Sequence, residues 1–111
     1  MLVTREGAVV TLINVFETEP AQQQALIDNW IRFVDTVKDE PGLIATALHR
    51  SKDGARVINY AQWRSEADWA SFVRKYGEQF AVRLSLAQRV DPHLYEVVYL
   101  HDQQGDDQEG K

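Results

Sequence analysis

Asp53-Gly54 lies between two runs rich in strand-forming residues, LIATALHRS over Leu43–Ser51 and RVINYAQWR over Arg56–Arg64. An Asp-Gly pair in that setting is a strong hairpin signal, because the tight turn needs a positive φ that Gly supplies without strain. The two runs are therefore antiparallel neighbours, and every other element has to be arranged around them.

Upstream, Ala8–Glu17 (AVVTLINVFE) is β-branched and aromatic and reads as a first strand. Pro20 suits the first turn of a helix, where its missing N–H has no partner to lose. Leu26, Ile27, Trp30, Ile31, Val34 and Val37 then recur at helical spacing and predict an amphipathic helix ending near Lys38. Pro41-Gly42 breaks it. Downstream of the hairpin, Ser65 and Asp68 have the spacing of a capping box. Trp69, Phe72, Val73, Tyr76, Phe80, Leu84 and Ala87 form a second helical stripe, with Gly77 as a point where it could divide in two. After Asp91-Pro92, the run His93–His101 (HLYEVVYLH) reads as the last strand.

The order is βαββαβ, which predicts an α+β, ferredoxin-like protomer: an antiparallel four-stranded sheet with both helices on one face. Such a sheet leaves its other face in water. Yet Ile13 and Val15 alternate with Leu12 and Phe16 in the first strand, and Ile58 and Tyr60 with Val57 and Ala61 in the third. Both faces are apolar, so a homodimer closing two sheets face to face is the simplest expectation.

Composition narrows the function classes. The 111 residues include no Cys, which excludes disulfides and thiolate chemistry, and no apolar run is long enough to span a membrane. Met1–Gly7 lacks the apolar stretch of a signal peptide, so a cytoplasmic location is expected. The formal charge of −5 is concentrated in residues 102–111, which carry four acids, one lysine and no apolar side chain. Residues 1–101 are thus the expected domain and 102–111 an acidic, disordered tail. No basic stripe exists to neutralise phosphates, so nucleic acid is not an expected partner. Phosphate-binding glycine loops, nucleophile elbows and zinc motifs are absent from the sequence.

Candidate site residues stand where a core should be. Within the third strand Val57, Asn59, Ala61 and Trp63 share one face, and Asn14 lies on the face of Leu12 and Phe16 in the first. A buried Asn needs partners for both ends of its amide, so these two point either to structural hydrogen bonds or to a cavity with a few placed polar groups. His49, His93 and His101 are scattered without metal-ligand spacing, and no metal site is expected. His49, near the end of the second strand, is the best placed of the three to carry a proton. Arg83, between Phe80 and Leu84, is either a surface ion-pair partner or an anchor for a substrate oxyanion.

VINYAQW over Val57–Trp63, together with Pro41-Gly42-Leu43 and Leu48-His49-Arg50-Ser51, resembles the antibiotic biosynthesis monooxygenase family of small dimeric α+β barrels. The resemblance spans roughly Val10 to Tyr99. It implies dimerisation through the sheets and a pocket between sheet and helices. It further implies oxidation of an anthrone or hydroquinone to a quinone, with O2 as co-substrate and no metal, flavin or haem cofactor. Asn59 and Trp63 would line the pocket, accompanied by Trp69, where members often carry Tyr, and by Arg83. Asn14 and His49 would complete the substrate contacts. Two other readings compete. Related haem-degrading barrels share an Asn and a Trp at the positions of Asn14 and Trp63, but ligate iron through a His in the next helix, and Ser65–Tyr76 contains none. A barrel that binds a small aromatic molecule without turnover fits the same residues.

Overall fold

A computed structural model describes residues 9–83, 85–101 and 103, with the side chains of 81–83 outside the described set. The elements are β1 (Val10–Glu17), α1 (Gln23–Val37), β2 (Leu43–Arg50), β3 (Arg56–Trp63), α2 (Glu66–Arg83) and β4 (Arg89–Tyr95). A 3-10 turn at Pro20–Gln22 leads into α1, with Pro at its start as the helix-initiating rule requires. All pairings are antiparallel and the sheet order is β2-β3-β1-β4, the ferredoxin-like arrangement. Among the described residues no helix is long and apolar enough to cross a membrane. The expected tail, 102–111, falls almost wholly outside the described residues.

Alternation fixes which sheet face the helices cover. Phe16 and Val57 are fully buried, and Leu12, Ala61 and Trp63 nearly so, while Ile13, Val15, Ile58 and Tyr60 on the other face are half-buried. Against the covered face α1 packs Leu26, Ile27, Trp30, Phe33 and Val37. Phe33 is buried and Ile31 is 46% exposed, so the helix is turned slightly from the predicted stripe. The reason is aromatic packing, since Phe33 meets Trp30 at 5.1 Å and Phe80 at 5.2 Å between ring centroids.

Three local devices hold the layers in place. Gly54 makes the β2–β3 turn with φ 83°, and Asp53 Oδ1 accepts hydrogen bonds from the Ser51 hydroxyl and the Ala55 N–H. Gln23 Nε2 donates to the carbonyls of Ser51 and Arg56 and ties the start of α1 to that hairpin. One half of the expected capping box forms, the Asp68 N–H donating to Ser65 Oγ, while Asp68 Oδ2 accepts from the Ser65 hydroxyl.

Two expectations are corrected. Gly77 does not divide α2, which runs unbroken to Arg83. The last strand begins at Arg89 rather than His93 and includes Pro92. Pairing decides this: Val90 faces Phe16 and Leu94 faces Leu12, and the register ends at Tyr95 opposite Thr11. β4 is an edge strand, where Pro is tolerated because one side of the ladder needs no donor. Val98, Tyr99 and Leu100, expected inside the strand, lie beyond it and are exposed.

Candidate active site

Between sheet and helices is a cavity of about 220 Å³. Its walls are apolar and aromatic, including Leu12, Trp30, Phe33, Trp63, Phe72 and Phe80. No ionisable side chain is among the lining residues described. The polar groups that reach it come from Asn14, Thr46, Asn59 and the tryptophan indoles.

Strand register explains why these meet. Asn14 on β1 and Asn59 on β3 are direct cross-strand partners on the covered face, where side chains of opposed residues lie about 5 Å apart. They are 8% and 5% exposed. The Thr46 hydroxyl donates to Asn59 Oδ1 at 2.7 Å, which leaves the amide nitrogen as the donor this residue offers. Asn14 Oδ1, Trp63 Nε1 and Trp30 Nε1 are buried with no hydrogen-bond partner among the described residues. Native structures leave few buried polar atoms unpaired, and here three lie on residues that line one cavity.

Two of these indoles belong to different packing groups. Trp63 packs with Leu12 and Ala61, Trp30 with Phe16 and Phe33, and Phe72 adjoins both groups. Phe72 lies 4.9 Å from Trp63 and 6.2 Å from Phe33 between ring centroids. Trp69, in the first turn of α2, is half-buried and lines the cavity.

Four expected site residues are thus brought together: Asn14, Asn59, Trp63 and Trp69. His49 is not. It pairs with Ile58 on the opposite sheet face and is exposed, because a one-residue step along a strand reverses the side a residue faces. Arg83 is the last residue of α2, and its side chain lies outside the described residues. His93 and His101 are exposed and away from the cavity, and no group of three or more metal-ligating side chains occurs among the described residues. Sequence reasoning missed Thr46, Trp30 and Phe33 as lining residues. For Thr46 no signal was available, since its face depends on a break in strand pairing.

The turn that follows α1 is pinned to α2. The Tyr76 hydroxyl and Lys75 Nζ both donate to Glu40 Oε1, the latter at 2.9 Å. The Tyr76 hydrogen bond, and then that of Lys75, hold the Glu40 carboxyl below the usual carboxylate range. The same contact pushes the Tyr76 phenol above its ordinary value. Gly42, with φ 92°, packs so closely on Asp68 that a Cβ there would lie 2.4 Å from the Asp68 Cβ.

The model of the family described as antibiotic biosynthesis monooxygenase matches residues 9–90. Tetracenomycin-F1 monooxygenase of Streptomyces glaucescens is 45% identical over 60 residues, 53% of this chain and 54% of that protein. The chain therefore spans about half the length of that curated relative. A crystal structure from Shewanella loihica, described as a candidate monooxygenase, is 32% identical with a TM-score of 0.72, covering 84% of this chain and 97% of its own. SnoaB, a cofactor-independent oxygenase from Streptomyces nogalater, has the same fold at 19% identity and a TM-score of 0.69, covering 85% of this chain and 97% of its own.

Proposed function

Given that the chain belongs to the antibiotic biosynthesis monooxygenase family, we propose that it oxidises an electron-rich aromatic of anthrone or hydroquinone type to a quinone. Dioxygen is the co-substrate and no cofactor is used. One observation carries this reading: an aromatic cavity at which the Asn14 amide oxygen and the indole N–H groups of Trp30 and Trp63 have no partner among the described residues. A flat polycyclic ligand matches the walls, and oxygens on its rim match the polar atoms.

The chemistry asks little more of the protein. Dioxygen is a triplet and reacts with closed-shell molecules by one-electron steps, and an aromatic oxyanion supplies that electron itself. For an anthrone, loss of a ring methylene proton gives an enolate oxyanion. Asn59 Nδ2 and Trp63 Nε1 donate to it, and the dry apolar walls strengthen both hydrogen bonds. Arg83 is the proposed second anchor for the same charge. Trp69 and Asn14 hold the rings and a rim hydroxyl. One electron passes to dioxygen, and the substrate radical and superoxide then combine through a new carbon–oxygen bond. The resulting peroxide takes up a proton. Its O–O bond breaks as the remaining hydrogen leaves that carbon, giving a carbonyl and water. In balance, one methylene and one dioxygen become one carbonyl and one water; for a naphthohydroquinone, the same attack at a ring C–H turns the hydroquinone and one dioxygen into a hydroxyquinone and one water.

The proposed partner is a second copy of the chain. Ile13, Val15, Ile58 and Tyr60 make the uncovered sheet face apolar, and two such faces would cover each other. Light scattering is expected to give twice the mass of one chain; a mass of one chain overturns the dimer. We take the domain as residues 1–101 and the acidic end, 102–111, as a solubilising tail.

Dioxygen uptake tests the activity. The full chain is expected to accelerate consumption with dithranol or a naphthohydroquinone, saturably, and Trp63→Phe to slow it. Uptake no faster than the uncatalysed rate across several such phenols overturns the enzyme reading. Tight binding of the matching quinones in that case assigns a binding module instead.

A further inference from the structure

One extra residue in β2 decides which side chain reaches Asn59. Between Leu43 and Ala45 the pairing with β3 slips by one position, and Ile44 is left out of the ladder and 53% exposed. Leu43 faces Trp63 and Thr46 faces Ala61, so both lie on the covered face. In an unbroken ladder Ala45 would face Ala61, and Thr46 would fall on the opposite side beside Tyr60. A bulge reverses the phase of everything after it. Here it delivers a hydroxyl to the cavity where regular pairing would have delivered a methyl group. Thr46 is then diagonal to Asn59, within side-chain reach, and their hydrogen bond is 2.7 Å.

We infer that Thr46 is a positioning residue: its hydroxyl occupies Asn59 Oδ1 and thereby commits the Asn59 NH2 group to the substrate oxyanion. A carboxamide is nearly symmetric in shape, and a half-turn exchanges its oxygen for its nitrogen. With the oxygen inward, Asn59 would repel an anion rather than bind it. In the half-turned form the Asn59 NH2 group would donate to Thr46 Oγ, but the Thr46 proton would lose its acceptor and Asn59 Oδ1 would turn away from it, whereas the observed form pairs the two. The bulge and Thr46 together set the polarity of the site.

The kinetic part of this inference rests on the proposed function; its spectroscopic part does not. In the full chain, Thr46→Val keeps the branched shape and removes the hydroxyl, and Thr46→Ser restores it. With dithranol, Thr46→Val should lower kcat/KM by about three- to tenfold, as the loss of one orienting hydrogen bond predicts, with Thr46→Ser close to the native chain. In an Asn59→Ala background Thr46→Val should have no further effect, since Thr46 acts through that amide. The Asn59 side-chain NH2 resonances, identified by their loss in Asn59→Ala, should move in Thr46→Val and stay in place in Thr46→Ser. An unmoved pair in Thr46→Val, or an equal kinetic loss with and without Asn59, overturns the inference. Moved resonances in a protein that oxidises no phenol sink the proposed function and leave the positioning role standing. Thr46→Ala serves the same comparisons if the valine variant does not fold.

Discussion

Gln23 and Asn14 are both buried amides, 7% and 8% exposed, yet the fold treats them in opposite ways. Gln23, at the hairpin end of the molecule, donates to Ser51 O at 3.1 Å and to Arg56 O at 2.9 Å, and so fastens α1 to the sheet. Asn14, in the middle of β1, faces Asn59 across the ladder, and its Oδ1 meets no partner among the described residues. The hairpin end uses a buried amide to hold elements together. The cavity keeps one at a cost to stability of about 1–3 kcal/mol, the penalty of an unsatisfied buried group. The difference separates a structural amide from one we propose to be kept for a ligand, although both are merely inward-facing polar residues in the sequence.

Substitutions should widen or collapse that contrast. The largest expected effect is on Asn59, whose NH2 group we assign to the substrate oxyanion. Asn59→Ala should lower kcat/KM for dithranol by about 100-fold, as removal of an oxyanion donor does elsewhere, with little change in Tm. An activity near that of the native chain would remove Asn59 from the mechanism. Gln23→Ala should do the reverse. It should lose about 1–3 kcal/mol of stability, seen as a Tm lower by several degrees, with kcat/KM unchanged. Asn14→Leu, alike in branching and free of the unpaired oxygen, should hold stability or raise it by up to about 1 kcal/mol, seen as a Tm unchanged or a few degrees higher, while weakening quinone binding by calorimetry. A clear fall in Tm would mean that Asn14 is structural like Gln23.

The smallest effect concerns the turn that follows α1. Hydrogen bonds from Tyr76 and Lys75 depress the Glu40 carboxyl, so its contribution is present above the ordinary carboxylate pKa and is lost as pH falls through the lower, folded value. Between about pH 5 and pH 3 the Tm of the native chain should therefore fall more steeply than that of Glu40→Gln. Parallel curves would show that the contact contributes nothing. Asp53 and Asp68 are depressed as well but are common to both chains, so the difference between the two curves isolates Glu40.

Much of this fold was legible because its signals are local. Asp53-Gly54 fixed the hairpin, Ser65 and Asp68 the start of α2, and alternation along Val57–Trp63 placed Asn59 and Trp63 on the covered face. Three features were not legible, each because it depends on pairing between distant segments. The position of β4 follows from matching Val90 and Leu94 to Phe16 and Leu12, which outweighs the β propensity of Val97–Leu100. The exposure of His49 follows from register, since its neighbour Leu48 is the one opposite Asn59. The inward turn of Thr46 follows from a bulge that no residue pattern announces. The site could be read as far as its tryptophans and amides, but not as far as their polarity.

The central claim is that this cavity directs one atom of dioxygen into an aromatic ring system while the other leaves as water. Turnover of dithranol under isotopically heavy dioxygen tests it directly, by mass spectrometry of the quinone and assay for hydrogen peroxide. The account predicts one heavy oxygen per quinone, no peroxide, and loss of the labelled product in Asn59→Ala. An unlabelled quinone accompanied by stoichiometric peroxide would contradict it.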